Sequence, residues 1–205
     1  MHFIKKHFLT PSTHVLILAN ISLLLGVIYF DWDLLSILML YWAETVIIGI
    51  INVFKIIIAD YYKKRLIITF LAILFFSIHF AFMMGSYATV ILIFFKGEGF
   101  VNISHPLEEV LFTLEPLIIG LIILSISHVF SFFYNYLGKK EYLTAQSAYL
   151  TIGPYLRVFV IHITLMIGGV LTQILGQPLF GLITLIIIKI LIDAYIHYCH
   201  HYFRN

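Results

Sequence analysis

The sequence predicts an all-α polytopic membrane protein: a bundle of six transmembrane helices with a short interfacial helix before the fourth span. Three observations carry this expectation. Apolar residues are in surplus, apolar runs reach membrane length, and basic residues are confined to alternate connections. Of 205 residues, 62% are hydrophobic and 11% charged, against about 25% charged in an average soluble domain. With mean hydropathy at +1.06, most of the surface must face something other than water. A spanning helix needs about 20 apolar residues. A membrane barrel would instead show alternating segments of about ten residues, and none are present.

The whole chain, residues 1–205, reads as a single transmembrane domain with spans at about 14–30, 33–58, 66–95, 116–137, 154–176 and 179–202. Lys5 and Lys6 precede the first run, but Asp31-Trp32-Asp33 follows it with no small-residue cleavage site, so it reads as a retained helix. The third run and the 107–137 run exceed the hydrocarbon thickness and must tilt or protrude. His105-Pro106 opens a helix with Glu108 and Glu109 in its first turn, where acids suit the helix dipole. Pro116 removes a backbone donor and predicts a break, with a short helix at 106–115 before the span proper. The stretch from Tyr142 to Ile152 is expected to lie along the membrane surface, and Gly153-Pro154 to open the fifth span.

Orientation follows from the basic residues. With the N-terminus inside, the cytoplasmic segments hold Lys5, Lys6, Lys55, Lys63, Lys64, Arg65, Lys139, Lys140 and Arg204. The opposite loops hold only Lys96, beside Asp31, Asp33, Glu98, Glu108 and Glu109. Six spans return the C-terminus to the cytoplasm, which predicts a multi-pass protein of the cell membrane. The single cysteine, Cys199, excludes an intramolecular disulfide framework.

Eight residues do not belong in lipid: Glu44, Arg157, Lys189 and Asp193, with His79, His128, His162 and His197. A charge at the bilayer centre costs at least ~2.5–3.5 kcal/mol, so such groups face the bundle interior and find partners. Counting from each cytoplasmic helix end at ~1.5 Å per residue, His162 lies about 12 Å deep, His128 about 14 Å, Asp193 about 13 Å and His197 about 7 Å. Glu44 and His79 lie at about 20 Å on the same count. The expectation is one polar layer between the cytoplasmic surface and the midplane. Spacing supports it: Lys189, Asp193 and His197 are four apart, His128, Ser131 and Asn135 share a face, and Tyr41, Glu44 and Asn52 stand close to one face.

Imidazole suits zinc, iron and copper, and carboxylates suit harder ions. His79, His128, His162, Asp193 and His197 therefore form a candidate ligand pool for a divalent metal ion, zinc or iron. Glu44 would be a further ligand or a general base, and Arg157 and Lys189 would stabilise an anionic substrate or intermediate. The corresponding activity is a metal-dependent hydrolase or oxidase acting on a lipid or membrane-embedded substrate, with membrane lipid as partner and no nucleic acid. Three alternatives stand beside it. Two histidines could ligate haem iron. The same residues could form a relay in an ion or proton transporter. Or Glu44 and Asp193 could balance Arg157 and Lys189 as ion pairs that lock helix packing. Gly49 and Gly168-Gly169 are expected to allow close helix approach.

Several segments together resemble a known family of prokaryotic membrane proteins. They are Tyr41-Trp-Ala-Glu44 with Gly49 and Asn52, Phe75 to His79, Ser127-His128 with Phe132 and Asn135, Pro154-Tyr155 to Arg157, His162 with Gly168-Gly169, and Lys189 to Asp193 and His197. The family is called domain of unknown function 6498. The resemblance covers roughly residues 30–200 and implies six membrane helices without implying an activity.

Overall fold

The computed structural model describes residues 11–64, 66–95, 105–147, 149–156, 158–159, 163 and 187. Every regular element among them is helical. Helix α1 spans Pro11–Tyr29, α2 Leu34–Tyr62 and α3 Leu66–Phe95. Helix α4, Pro106–Leu114, passes through a 3-10 turn at Glu115–Leu117 into α5, Ile118–Ser131. A π-helical turn follows at Phe132–Leu137, then a 3-10 turn at Glu141–Leu143. Three segments, Leu34–Tyr62, Thr69–Ile93 and Leu107–Leu137, are long and apolar enough to cross a membrane. They make this a membrane protein. The predicted fifth and sixth spans fall almost wholly outside the described residues.

Helix α2 is the centre of the bundle. It packs against α3 on one side and α5 on the other, and α1 packs against α5. Over half of its spanning window is buried inside the protein, against about a quarter for the other two spans. Leu23, Ile37, Leu38, Leu40, Leu117 and Leu124 form the fully buried seam of α1, α2, the 3-10 turn and α5. In a bilayer this seam gains close packing rather than escape from water, because lipid tails are as apolar as leucine. Close approach is therefore what stabilises the bundle, and glycines mark it. The indole of Trp32 lies between Gly26 of α1 and Gly120 of α5, where a β-carbon at Gly120 would sit 2.7 Å from the ring. Gly49 of α2 receives the Phe80 ring of α3 in the same way, as its spacing predicts. The Trp42 indole N–H donates to the Met84 carbonyl at 2.7 Å and fixes the α2–α3 register.

Helix boundaries follow local chemistry. The Asp33 carboxylate accepts from the Ser36 N–H at 2.8 Å and caps α2. The other end of α2 runs to Tyr62, past the predicted limit at 58, because Asp60 is buried rather than solvated. Pro116 breaks the 107–137 run as expected, and the break is the 3-10 turn that contains it.

The connection before the fifth span differs from expectation. Residues 149–156 are already helical, so Gly153-Pro154 lies inside a helix rather than opening one. Pro154 has no N–H for the Leu150 carbonyl one turn back. The Asn52 side-chain amide of α2 donates to that carbonyl instead. A buried amide on a neighbouring helix thus meets the acceptor the proline strands, and the helix continues.

Candidate functional site

The structure joins Glu44 and His128. Glu44 is buried at 2% exposure in the middle of α2, and its Oε1 lies 2.7 Å from His128 Nε2 on α5. A buried carboxylate accepts, so the imidazole Nε2–H donates. Nδ1 is then the ring atom available to a proton or a metal.

Their meeting revises the expected depth. Glu44 stands 18 residues before Tyr62 and His128 nine before Leu137, distances of about 27 and 14 Å along their helices. The two are nevertheless level, so α2 extends beyond α5 and the helix ends share no common zero. From the Leu34 end, Glu44 is ten residues in, about 15 Å, which is half the hydrocarbon thickness.

His79 belongs to a second pair. Its Nδ1 lies 2.8 Å from the Tyr155 hydroxyl, and its ring stacks on Phe75 at 5.6 Å. Phe76 and Phe80 meet the Tyr155 ring edge-on. His79 is exposed and adjoins Phe80, which fills Gly49 five residues along α2 from Glu44. The two pairs are therefore offset by about 8 Å along α2. Among the described residues no three His, Cys, Asp or Glu side chains group closely enough to hold a metal ion. Arg157, His162, Lys189, Asp193 and His197 lie outside the described residues, as do Gly168-Gly169.

Of the expected stripe of His128, Ser131 and Asn135, the last two are in contact. Asn135 donates to Ser131 Oγ at 3.3 Å and accepts from Lys139 Nζ at 2.7 Å. A π turn follows Ser131: Gly138 N–H reaches the Phe133 carbonyl at 2.9 Å, and the extra residue rotates the side chains beyond it. Lys55 lies well below Glu44, 5.5 Å over the Tyr136 ring.

Three further buried polar residues stand out, of which the sequence had marked only Ser127, as part of a segment carrying the family resemblance. Asn20 of α1 and Ser127 of α5 are each 1% exposed. Gly26 and Gly120 flank the same indole. Asn20 lies six residues from Gly26 and Ser127 seven from Gly120 on antiparallel helices, so both lie about 10 Å along from the indole. Asn20, Ser127, Tyr41, Glu44 and His128 thus make a polar layer through α1, α2 and α5. Asn20 was legible as the one amide in its apolar run. The third residue, Asp60, is 2% exposed and accepts from Thr69 Oγ1 at 2.7 Å and from the Ser147 hydroxyl. Its proximity to the Lys63-Lys64 run makes it look like a solvated helix end.

The family model described as "Family of unknown function (DUF6498)" matches residues 4–204, and the chain belongs to that family. No curated protein and no solved structure matches it.

Proposed function

We propose that this family member is a six-span protein of the cell membrane, with both termini cytoplasmic, built around a carboxylate–imidazole site that binds a divalent metal ion. The observation that supports this reading is the Glu44–His128 contact at 2.7 Å. A metal-ligating histidine characteristically donates its other ring N–H to a carboxylate, which fixes the tautomer and raises ligand basicity. Glu44 stands in that orienting position, so its role shifts from ligand or base to the group that sets His128. His128 ligates through Nδ1, and His162, Asp193 and His197 complete the set. His79, held by Tyr155, serves at the rim. Arg157 and Lys189 bind an anionic group of a lipid or membrane-embedded substrate in a zinc- or iron-dependent hydrolysis or oxidation.

A second reading rests on the same pair. Within membrane spans, a carboxylate and an imidazole in contact also suit a proton relay, and Ser127 with its buried hydroxyl extends the polar layer.

Metal analysis of the detergent-solubilised protein, together with its absorption spectrum, separates these readings. The metal reading expects stoichiometric zinc or iron that is lost in a His128→Ala, His162→Ala double variant. A Soret band would assign haem. Protein that stays metal-free after reconstitution with zinc or ferrous ion would leave the relay as the standing account.

A further inference from the structure

We propose that the end of the bundle where α2 and the π turn finish is a binding site for anionic phospholipid headgroups, centred on Lys64 and Lys140. This rests on the membrane reading alone and is independent of the Glu44–His128 site.

Both lysines hold left-handed backbone, with φ of 54° and 55°. Each follows a helix end. Lys64 N–H closes onto the Tyr61 carbonyl and Lys140 N–H onto the Leu137 carbonyl. Glycine is the usual occupant of this position because a β-carbon is strained there. The chain does place a glycine nearby, Gly138, but in right-handed conformation with φ −63°. A β-carbon at Gly138 would lie 2.6 Å from the Tyr134 carbonyl oxygen. Glycine is thus used for close approach, while lysine takes the strained turn. Among the described residues a third non-glycine turn of this kind, Asp31 with φ 51°, lies at the other end of α2, so it is the pairing of two lysines at one end that points to a use for their side chains.

Charge is sorted at this end. The acids of the described residues here, Asp60 and Glu141, are 2% and 7% exposed, whereas Lys64, Lys139 and Lys140 are exposed. Lys63 is tied to the Ala145 carbonyl, and Lys139 lies 4.8 Å over the Tyr134 ring. The outward surface is therefore cationic. The two turns meet through Tyr62 and Tyr142, whose ring centroids are 4.7 Å apart, and Lys140 lies within electrostatic reach of Tyr62. Exposed Tyr61, Tyr62 and Tyr149 supply the amphipathic rings expected at headgroup level. A lipid phosphate at this surface meets the exposed lysines of the two turns, and tyrosine hydroxyls can donate to its oxygens.

The test uses the full chain in nanodiscs of phosphatidylcholine alone or mixed with phosphatidylglycerol, and in detergent with inorganic phosphate. Wild type should be stabilised thermally by phosphatidylglycerol and not by inorganic phosphate. A Lys64→Gly, Lys140→Gly variant should unfold at a higher temperature than wild type in pure phosphatidylcholine, because strain is relieved, yet lose the response to phosphatidylglycerol. A Lys64→Gln, Lys140→Gln variant, which keeps the β-carbon, should lose the response as well. Retention of phosphatidylglycerol through purification should fall about fivefold per lysine removed. An undiminished response in both double variants, or equal stabilisation by inorganic phosphate, would overturn the proposal.

Discussion

Helix α2 carries two carboxylates that are equally buried and differently partnered. Glu44 and Asp60 are each 2% exposed. Asp60 accepts from the hydroxyls of Thr69 and Ser147, while Glu44 meets the imidazole of His128. Hydroxyl donors satisfy a carboxylate but exchange neither protons nor ligands near neutral pH. They tie α2 to α3 and to the connection before the fifth predicted span. An imidazole can take a proton or a metal on its second nitrogen. Burial alone therefore does not mark a functional charge; the chemistry of the partner does. Asp60 is a joint between helices, and in the proposed reading Glu44 orients a reactive group.

The largest effect should come from His128→Ala. It leaves the Glu44 carboxylate buried without its imidazole, and breaking a buried pair from one side costs about 3–5 kcal/mol. Equilibrium unfolding in detergent would show this, and adding Glu44→Gln should recover part of the loss. Next comes Asp60→Ala, which removes two charge-assisted hydrogen bonds near the helix end and should cost about 2–3 kcal/mol with metal content unchanged. If Asp60→Ala strips the metal as well, the division between the two carboxylates fails.

Asn52→Ala should cost about 1–2 kcal/mol by leaving the Leu150 carbonyl without its donor. Pro154→Ala restores a backbone N–H to that carbonyl, so in the Asn52→Ala background it should be less harmful than in the wild type. A thermal-melt cycle over the four proteins reads this directly. The smallest effect belongs to His79→Ala. Its ring is exposed, and loss of the Tyr155 contact should cost no more than about 1 kcal/mol.

Much of the fold was legible because lipid imposes a coarse rule: a span must be apolar, helical and long enough. Runs starting near 14, 33 and 66 became helices starting at Pro11, Leu34 and Leu66. Pro116 announced its break because a proline removes a donor wherever it falls. Helix ends were harder to read. Asp60 resembles a solvated terminus, and only Thr69 and Ser147, nine and 87 residues away, keep it buried. Pro154 looked like a helix start because the sequence does not show that Asn52, across the bundle, meets the stranded carbonyl. The Glu44–His128 contact was half legible. Their polarity in apolar runs identified them, but counting depth from separate helix ends placed them several ångströms apart. The π turn at Phe132–Leu137 leaves no composition signal.

The central claim is that Glu44 sets His128 for a ligand while Asp60 does not. Metal affinity measured side by side in Glu44→Gln and Asp60→Asn, by competition with a chromophoric chelator, tests it most directly. Loss of an orienting carboxylate should weaken binding about 10–100-fold in Glu44→Gln, with Asp60→Asn indistinguishable from wild type. Equal affinity in all three proteins, or an equal loss in both variants, would contradict it.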